Sequence, residues 1–140
     1  MLKRIATVSV VLALAVTGAA FAAVRSMGTT VDLHSTSLGK VLATSKGRTL
    51  YLYTPDGKNK SNCTGSCAAF WPPLMTKGKP VAGMGVKKSL LGTAKRGSKL
   101  QVTYNGHPLY TYSGDSAAGQ ANGEGSDGIW FVVTAAGKRK

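Results

Sequence analysis

The chain has 140 residues, 43% of them hydrophobic, and 18 Lys and Arg stand against 5 Asp and Glu for a formal net charge of +13. That length suits one small domain and not two with separate cores. No G-x-S-x-G, H-E-x-x-H or P-loop pattern occurs, which removes the common hydrolase, zinc-protease and nucleoside-triphosphate readings.

The first segment, 1–22, reads as a cleaved secretory signal. Lys3-Arg4 is followed by an apolar run from Ile5 to Val16, broken only by Thr7 and Ser9, and the segment closes on Ala20-Phe21-Ala22. It is too short and wrongly flanked for a membrane span, so the mature chain is expected to begin near Ala23 without a transmembrane segment. Removing Lys3 and Arg4 leaves 16 basic and 5 acidic residues, a formal +11.

Residues 23–30 form an irregular lead-in to one β domain over 31–137. Val31 to Leu33 starts a short strand and Lys40 to Thr44 gives a second. Ser45-Lys46-Gly47 is a turn signal, and Leu50 to Thr54 follows as a strand rich in aromatic residues. Repeat one covers about 31–80. A basic connector over about 81–96 carries Lys87, Lys88, Lys95 and Arg96, with at most one helical turn at Ser89 to Ala94. Repeat two, about 97–137, shows a clearer hairpin: Leu100 to Tyr104, then Asn105-Gly106, then a strand through Tyr112. Asn-Gly favours a type I′ turn because both central residues need positive φ. Ile129 to Thr134 reads as a last strand, before the basic end Lys138-Arg139-Lys140.

The two halves repeat one another. Gly47-Arg48-Thr49-Leu50-Tyr51-Leu52-Tyr53-Thr54-Pro55-Asp56 returns as Gly106-His107-Pro108-Leu109-Tyr110-Thr111-Tyr112-Ser113-Gly114-Asp115. The same displacement carries Lys40 onto Lys99, Thr44 onto Thr103 and Trp71 onto Trp130, and it predicts the same hairpin in each copy. All nine aromatic residues after the signal lie in the copies, so the repeats are the fold. The expected class is all-β: two pseudo-symmetric, hairpin-centred units forming an antiparallel sheet or a sandwich.

The Leu-Tyr-x-Tyr-x-x-Asp core and the run Cys63-Thr64-Gly65-Ser66-Cys67-Ala68-Ala69-Phe70-Trp71-Pro72-Pro73-Leu74 resemble the bacterial "secreted repeat of unknown function" family. Its members are predicted lipoproteins with a Tyr-x-aromatic-x-x-Asp motif, and the resemblance extends from about Val31 to Val133. It implies an exported bacterial protein with tandem repeats and says little about activity. Many relatives carry a lipobox cysteine after the signal, whereas this chain has no cysteine before Cys63.

Strand alternation puts Tyr51 with Tyr53, and Tyr110 with Tyr112, on one face, with Leu50 and Leu109 on the other. The tyrosines pack as ladders against Trp71 and Trp130 or, alternatively, form a platform for a sugar or planar compound. Asp56 and Asp115 sit in turn sequences where a carboxylate accepts backbone N–H bonds; the alternative is a cation or ligand site with Asp127 or Glu124. Cys63 and Cys67 in an exported chain are expected to form a disulfide that shapes the loop delivering Trp71, and the repeat register puts Asn122 and Ser126 in their places in copy two.

Soft ligands in His34, His107, Met27, Met75 and Met84, together with the Cys63 and Cys67 dithiol, allow a copper-handling alternative. Haem attachment is disfavoured because Ala68, and not histidine, follows the second cysteine. Gly123-x-Gly125-x-x-Gly128 leads into a strand, where dinucleotide phosphate binding needs a helix. No catalytic residue, cofactor or metal is therefore assigned. The expected protein is a periplasmic or secreted non-enzymatic β domain whose partner is an anionic envelope component or an envelope protein and not nucleic acid. A redox or metal-handling accessory, for copper or haem, is the alternative.

Overall fold

The computed structural model describes residues 28–140, together with 11–13 and 15. The expected export signal and most of the lead-in therefore lie outside the described residues. Among the described residues no helix is long and apolar enough to cross a membrane.

The domain is all-β. Strands β1 (Thr30–Thr36) and β2 (Gly39–Thr44) form one antiparallel hairpin, and β6 (Leu91–Arg96) and β7 (Lys99–Tyr104) form its counterpart. Each copy adds a motif strand, β3 (Tyr51–Tyr53) in copy one and, in copy two, a stretch opening with β8 (His107–Pro108). Each then adds a strand led by its tryptophan: β4 (Met75–Thr76) follows Trp71, and β9 (Trp130–Val132) begins on Trp130. A five-residue helix, α1 (Ser66–Phe70), occupies the cysteine loop, and β5 (Val81–Ala82) returns parallel to β1. Leu91–Arg96, assigned to the connector on sequence, is thus a ladder strand of copy two. Only Lys88–Leu90 makes a helical turn there.

The hairpins also correct the repeat register. Thr36 faces Gly39 in the first ladder and Arg96 faces Lys99 in the second, so Lys40 corresponds to Leu100 and Thr44 to Tyr104. The reason is the turn. Copy two closes Tyr104 onto His107 through Asn105 and Gly106, both at positive φ (49° and 79°), as a two-residue loop requires. Copy one has three loop residues, Ser45-Lys46-Gly47, in which Gly47 takes φ 82° and its N–H bonds to Thr44 O, while Thr44 N–H bonds to Arg48 O. The ladder is shared, but one extra turn residue in copy one shifts the displacement of every residue before it.

The two copies exchange partners. Tyr51 pairs with Val132 and Tyr53 with Trp130, while Tyr110 pairs with Pro73. Likewise Leu42 N–H bonds to Val133 O and Val102 N–H to Leu74 O, each at 2.8 Å. Each hairpin and motif strand therefore finishes on the tryptophan strand of the other copy. Tyr51 and Tyr110 bond reciprocally, N–H to O at 2.8 and 3.0 Å, which places a pseudo-two-fold axis between them. The result is three short sheets, β2-β1-β5, β3-β9 and β4-β7-β6 with β8 on β7, in place of one continuous sheet.

Alternation along the motif strands divides the core into two clusters. Leu50, Leu52 and Leu109 join Val31, Leu42, Val86, Val102, Tyr104 and Val133 on one side. Tyr51, Tyr110, Trp71, Trp130, Cys63, Val41 and Val132 form the other, with Tyr53 and Tyr112 packed against it. Burial of each such large side chain stabilises the fold by about 1.5–3 kcal/mol relative to exposure. Neither cluster can form from one copy alone, because each draws residues from both.

Candidate functional site

The second cluster is organised around four stacked rings. Trp71 and Trp130 lie face to face, centroids 3.9 Å apart and planes 3° apart. Tyr53 covers the outer face of Trp130 at 4.3 Å, and Tyr112 covers Trp71 at 4.2 Å. Tyr51 and Tyr110 meet the same indoles edge-on, at 5.4 and 5.2 Å. Each repeat thus supplies one indole and two phenols, and the first and second tyrosines of the motif do different work: the first stands edge-on at the axis, and the second ends the stack.

The motif aspartates are bound across the axis. Tyr51 Oη donates to Asp115 Oδ2 at 2.6 Å, and Tyr110 Oη donates to Asp56 Oδ2 at 2.7 Å. The other carboxylate oxygens accept backbone N–H groups, Asp56 Oδ1 from Asn62 at 2.6 Å and Asp115 Oδ1 from Asn122 at 2.9 Å. Turn chemistry explains only this second bond. It closes six or seven residues downstream, so each aspartate pins a whole loop and also ties its copy to its twin.

Burial pushes both phenols well above their ordinary value; the Asp115 carboxylate pushes Tyr51 the same way, and Asp56 does so for Tyr110 against an opposing hydrogen bond from Ser61. Burial also raises Asp56, outweighing its bonds to Asn62 and Tyr110 and the nearby Arg96 charge. His107 is lowered by burial, against the opposing pull of Asp56.

Two arginines that sequence reasoning gave no role brace this network. Arg96 donates to Ser61 Oγ and Cys63 O, both at 2.7 Å, and Ser61 Oγ is itself 2.7 Å from Tyr110 Oη. Arg48 donates to the Asp115 carbonyl. Asn62 and Asn122 also play matching parts, each donating its side-chain amide to the carbonyl before the motif aspartate, Pro55 O and Gly114 O. Asn122 therefore corresponds to Asn62, and the place of Cys63 in copy two falls to Gly123. A Cβ on Gly123 would stand 2.7 Å from the Trp71 ring, so a glycine is needed there for the loop to close on the indole.

Cys63 and Cys67 are joined in a disulfide that ties the loop before α1 to the helix's first turn, with Cys63 fully buried. Among the described residues both cysteines lie in this bridge, and no group of three or more His, Cys, Asp or Glu is placed to hold a metal. His34 and Met84 are exposed at separate places, and Met27 lies outside the described residues. A ring closed over so few residues stabilises the fold by about 2 kcal/mol in the chain-entropy model. Cys63→Ala with Cys67→Ser is accordingly expected to remain folded and to lose about that much in urea unfolding, with no change in far-ultraviolet circular dichroism. Loss of the folded state would assign the bridge a larger role.

A cleft of about 400 Å³ opens along the stack, lined by Tyr53, Trp71, Tyr112 and Trp130 together with Cys67, Phe70, Ser66, Ser126, Asp127 and Ile129. Four of its pairs are repeat-equivalent: Tyr53 with Tyr112, Trp71 with Trp130, Cys67 with Ser126 and Phe70 with Ile129. The cleft therefore straddles the axis. Phe70, 63% exposed, and Cys67 of the disulfide both line it, as does Asp127, at φ 52°.

Of the residues singled out on sequence, Tyr51, Tyr53, Asp56, Trp71, Tyr110, Tyr112, Asp115 and Trp130 converge here with the disulfide. Leu50 and Leu109 lie in the other core cluster, as alternation requires. The parts that Arg48, Arg96, Ser61, Asn62, Asn122 and Gly123 play here are not among the expectations from sequence. The asparagines sit at different offsets from their aspartates, and the arginines arrive from the hairpins, so neither leaves a repeat signal.

Two copies of one strand-and-loop unit, interlocked through a shared aromatic centre, define a tandem-repeat β protein whose fold requires both copies. The family model described as "Secreted repeat of unknown function" matches residues 33–75 and 92–134, and the chain belongs to that family. No curated protein and no solved structure matches it significantly.

Proposed function

We propose that this protein is a non-enzymatic domain exported to the periplasm or beyond, which holds to an anionic component of the cell envelope through its basic surface. The observation that carries this reading is how the fold distributes its charges. Asp56 and Asp115 are bound inside the aromatic centre, Glu124 accepts the Val132 N–H and Asp32 is half-buried on β1, which leaves Asp127 as the one exposed acidic side chain among the described residues. The lysines are placed oppositely: Lys87 and Lys88, Lys95 and Lys99 on the second hairpin, and Lys138 with Lys140 are all exposed. Lys77 and Lys99 also line a groove of about 700 Å³ that contains none of the motif residues.

Each lysine that reaches an anionic bilayer contributes about 1 kcal/mol, and the attraction decays over a Debye length of about 8 Å at physiological salt. The exported protein should therefore sediment with vesicles of equal parts phosphatidylglycerol and phosphatidylcholine at low ionic strength, and not with phosphatidylcholine alone. Raising the salt should weaken binding by about tenfold or more, and Lys87→Glu with Lys88→Glu should do the same at constant salt. Equal binding to both vesicles, or none at low salt, would remove the anionic-surface reading.

A further inference from the structure

The geometry points to a second role for the aromatic centre, independent of the charged surface. We propose that the stack is a one-electron relay. An oxidising equivalent taken up at the cleft from a one-electron oxidant passes along Tyr53, Trp130, Trp71 and Tyr112 and comes to rest on Tyr51 or Tyr110, whose phenolic proton moves to Asp115 or Asp56.

Three observations carry this. The four rings are in continuous face-to-face contact at 4.3, 3.9 and 4.2 Å, a path along which an electron need cross no solvent or aliphatic gap. The path is open at the cleft, where Tyr53 and Tyr112 are both only half-buried. Each indole also meets edge-on a phenol with a proton acceptor in place, Asp115 Oδ2 at 2.6 Å from Tyr51 Oη and Asp56 Oδ2 at 2.7 Å from Tyr110 Oη. A hydrogen bond of that length is what concerted removal of the phenolic proton requires.

The molecule contains its own contrast. Tyr104 is as deeply buried as Tyr51 and Tyr110, but its hydroxyl donates to a backbone carbonyl, Ala135 O at 2.6 Å, which cannot take up a proton. Burying a phenol in this fold thus does not require a carboxylate; of the three fully buried phenols, only the two that meet the indoles edge-on have one.

The step balances. The oxidant gains one electron, taken from an indole directly or through Tyr53 or Tyr112, and leaves an indole radical cation. One electron then passes from Tyr51 or Tyr110 to that indole, the phenolic O–H bond breaks, and its proton forms an O–H bond on the facing carboxylate. The products are a neutral phenoxyl radical, a neutral carboxylic acid and a restored indole.

Flash photolysis of the folded protein with a ruthenium polypyridyl complex and persulfate tests this, because indolyl and phenoxyl radicals have distinct absorption bands. In the wild type the indolyl signal should decay as the phenoxyl signal rises, more slowly in deuterium oxide. Tyr51→Phe with Tyr110→Phe should abolish the phenoxyl rise and leave a long-lived indolyl signal, whereas Tyr104→Phe should change neither. Asp56→Asn with Asp115→Asn should lower the phenoxyl yield by about tenfold or more, the consequence of about 1.4 kcal/mol of lost driving force. Circular dichroism establishes that each variant is folded, and if the asparagine pair is not, the phenylalanine variants decide. No phenoxyl in the wild type, or a phenoxyl yield that survives loss of Tyr51 and Tyr110, would make the stack a packing feature only.

Discussion

Trp130→Ala is expected to lower the unfolding free energy by about 3–5 kcal/mol, the usual range for deleting a buried aromatic side chain. Trp71→Ala should fall in the same range. The indoles are 2% and 7% exposed, and each is sandwiched between two rings of the other copy, the partner indole on one face and a motif tyrosine on the other. For a small domain with a total stability of about 5–15 kcal/mol, either loss is a large fraction. Because the two indoles share a face, their effects should not add: a double-mutant cycle should return a coupling of about 0.5–1.5 kcal/mol. The crossed pairing sharpens this expectation. Removing Trp71 uncovers Tyr112, and Gly123 loses the ring it packs against, so copy two should loosen although the substitution lies in copy one. Urea unfolding of both single variants and the double variant measures all three quantities. Additive effects, or a loss below about 1 kcal/mol at either indole, would mean that the copies are held together elsewhere.

Much of this centre was legible in the sequence because strand chemistry is local. Two-residue alternation separated Tyr51 and Tyr53 from Leu50, and Asn105-Gly106 named its turn type, since both depend only on neighbours in the chain. Pairing between the copies was not legible, for a physical reason. A repeat reveals which residues are equivalent, but Tyr51 beside the tryptophan strand of its own copy and Tyr51 beside that of the other copy have the same sequence pattern. Only the closed structure shows that it pairs with Val132 and not with Pro73. The displacement that carries Gly47 onto Gly106 fails at two places, the first hairpin turn and the loop before Asn122, because loops absorb an inserted residue without disturbing the strands they join. Arg96 reads on sequence only as one more charge of the basic connector, because a basic residue in a basic segment carries no further signal until the fold sets it against Ser61 and the Cys63 carbonyl.

The matched aspartates should not be matched in energy. Asp115 is 6% exposed; its loss strands the hydroxyl of fully buried Tyr51 and frees the Asn122 N–H. Hydrogen bonds to a charged group contribute about 1.5–3 kcal/mol each, and water cannot readily replace them at this depth, so Asp115→Ala should cost about 3–4 kcal/mol. Asp56 makes the same two bonds but is only half-buried, so water can reach Asn62 and Asp56→Ala should cost about 1–2 kcal/mol.

A pH signature accompanies the difference. Because burial raises Asp56 above the ordinary carboxylate value of 3.8, the folded chain keeps this proton to a higher pH than the unfolded chain does. Its contribution to stability is therefore greatest below 3.8 and declines as pH rises toward the raised folded value. Asp56→Asn, which keeps an acceptor oxygen without the charge, should be nearly neutral at pH 7 and should remove that decline, whereas Asp115→Asn should remain costly. Urea unfolding of the four variants at pH 3 and pH 7 separates these outcomes. Equal costs at the two aspartates would show that the pseudo-symmetry of the sequence extends to the energetics; a larger cost at Asp56 would place the principal clamp between the copies at Tyr110 and not at Tyr51.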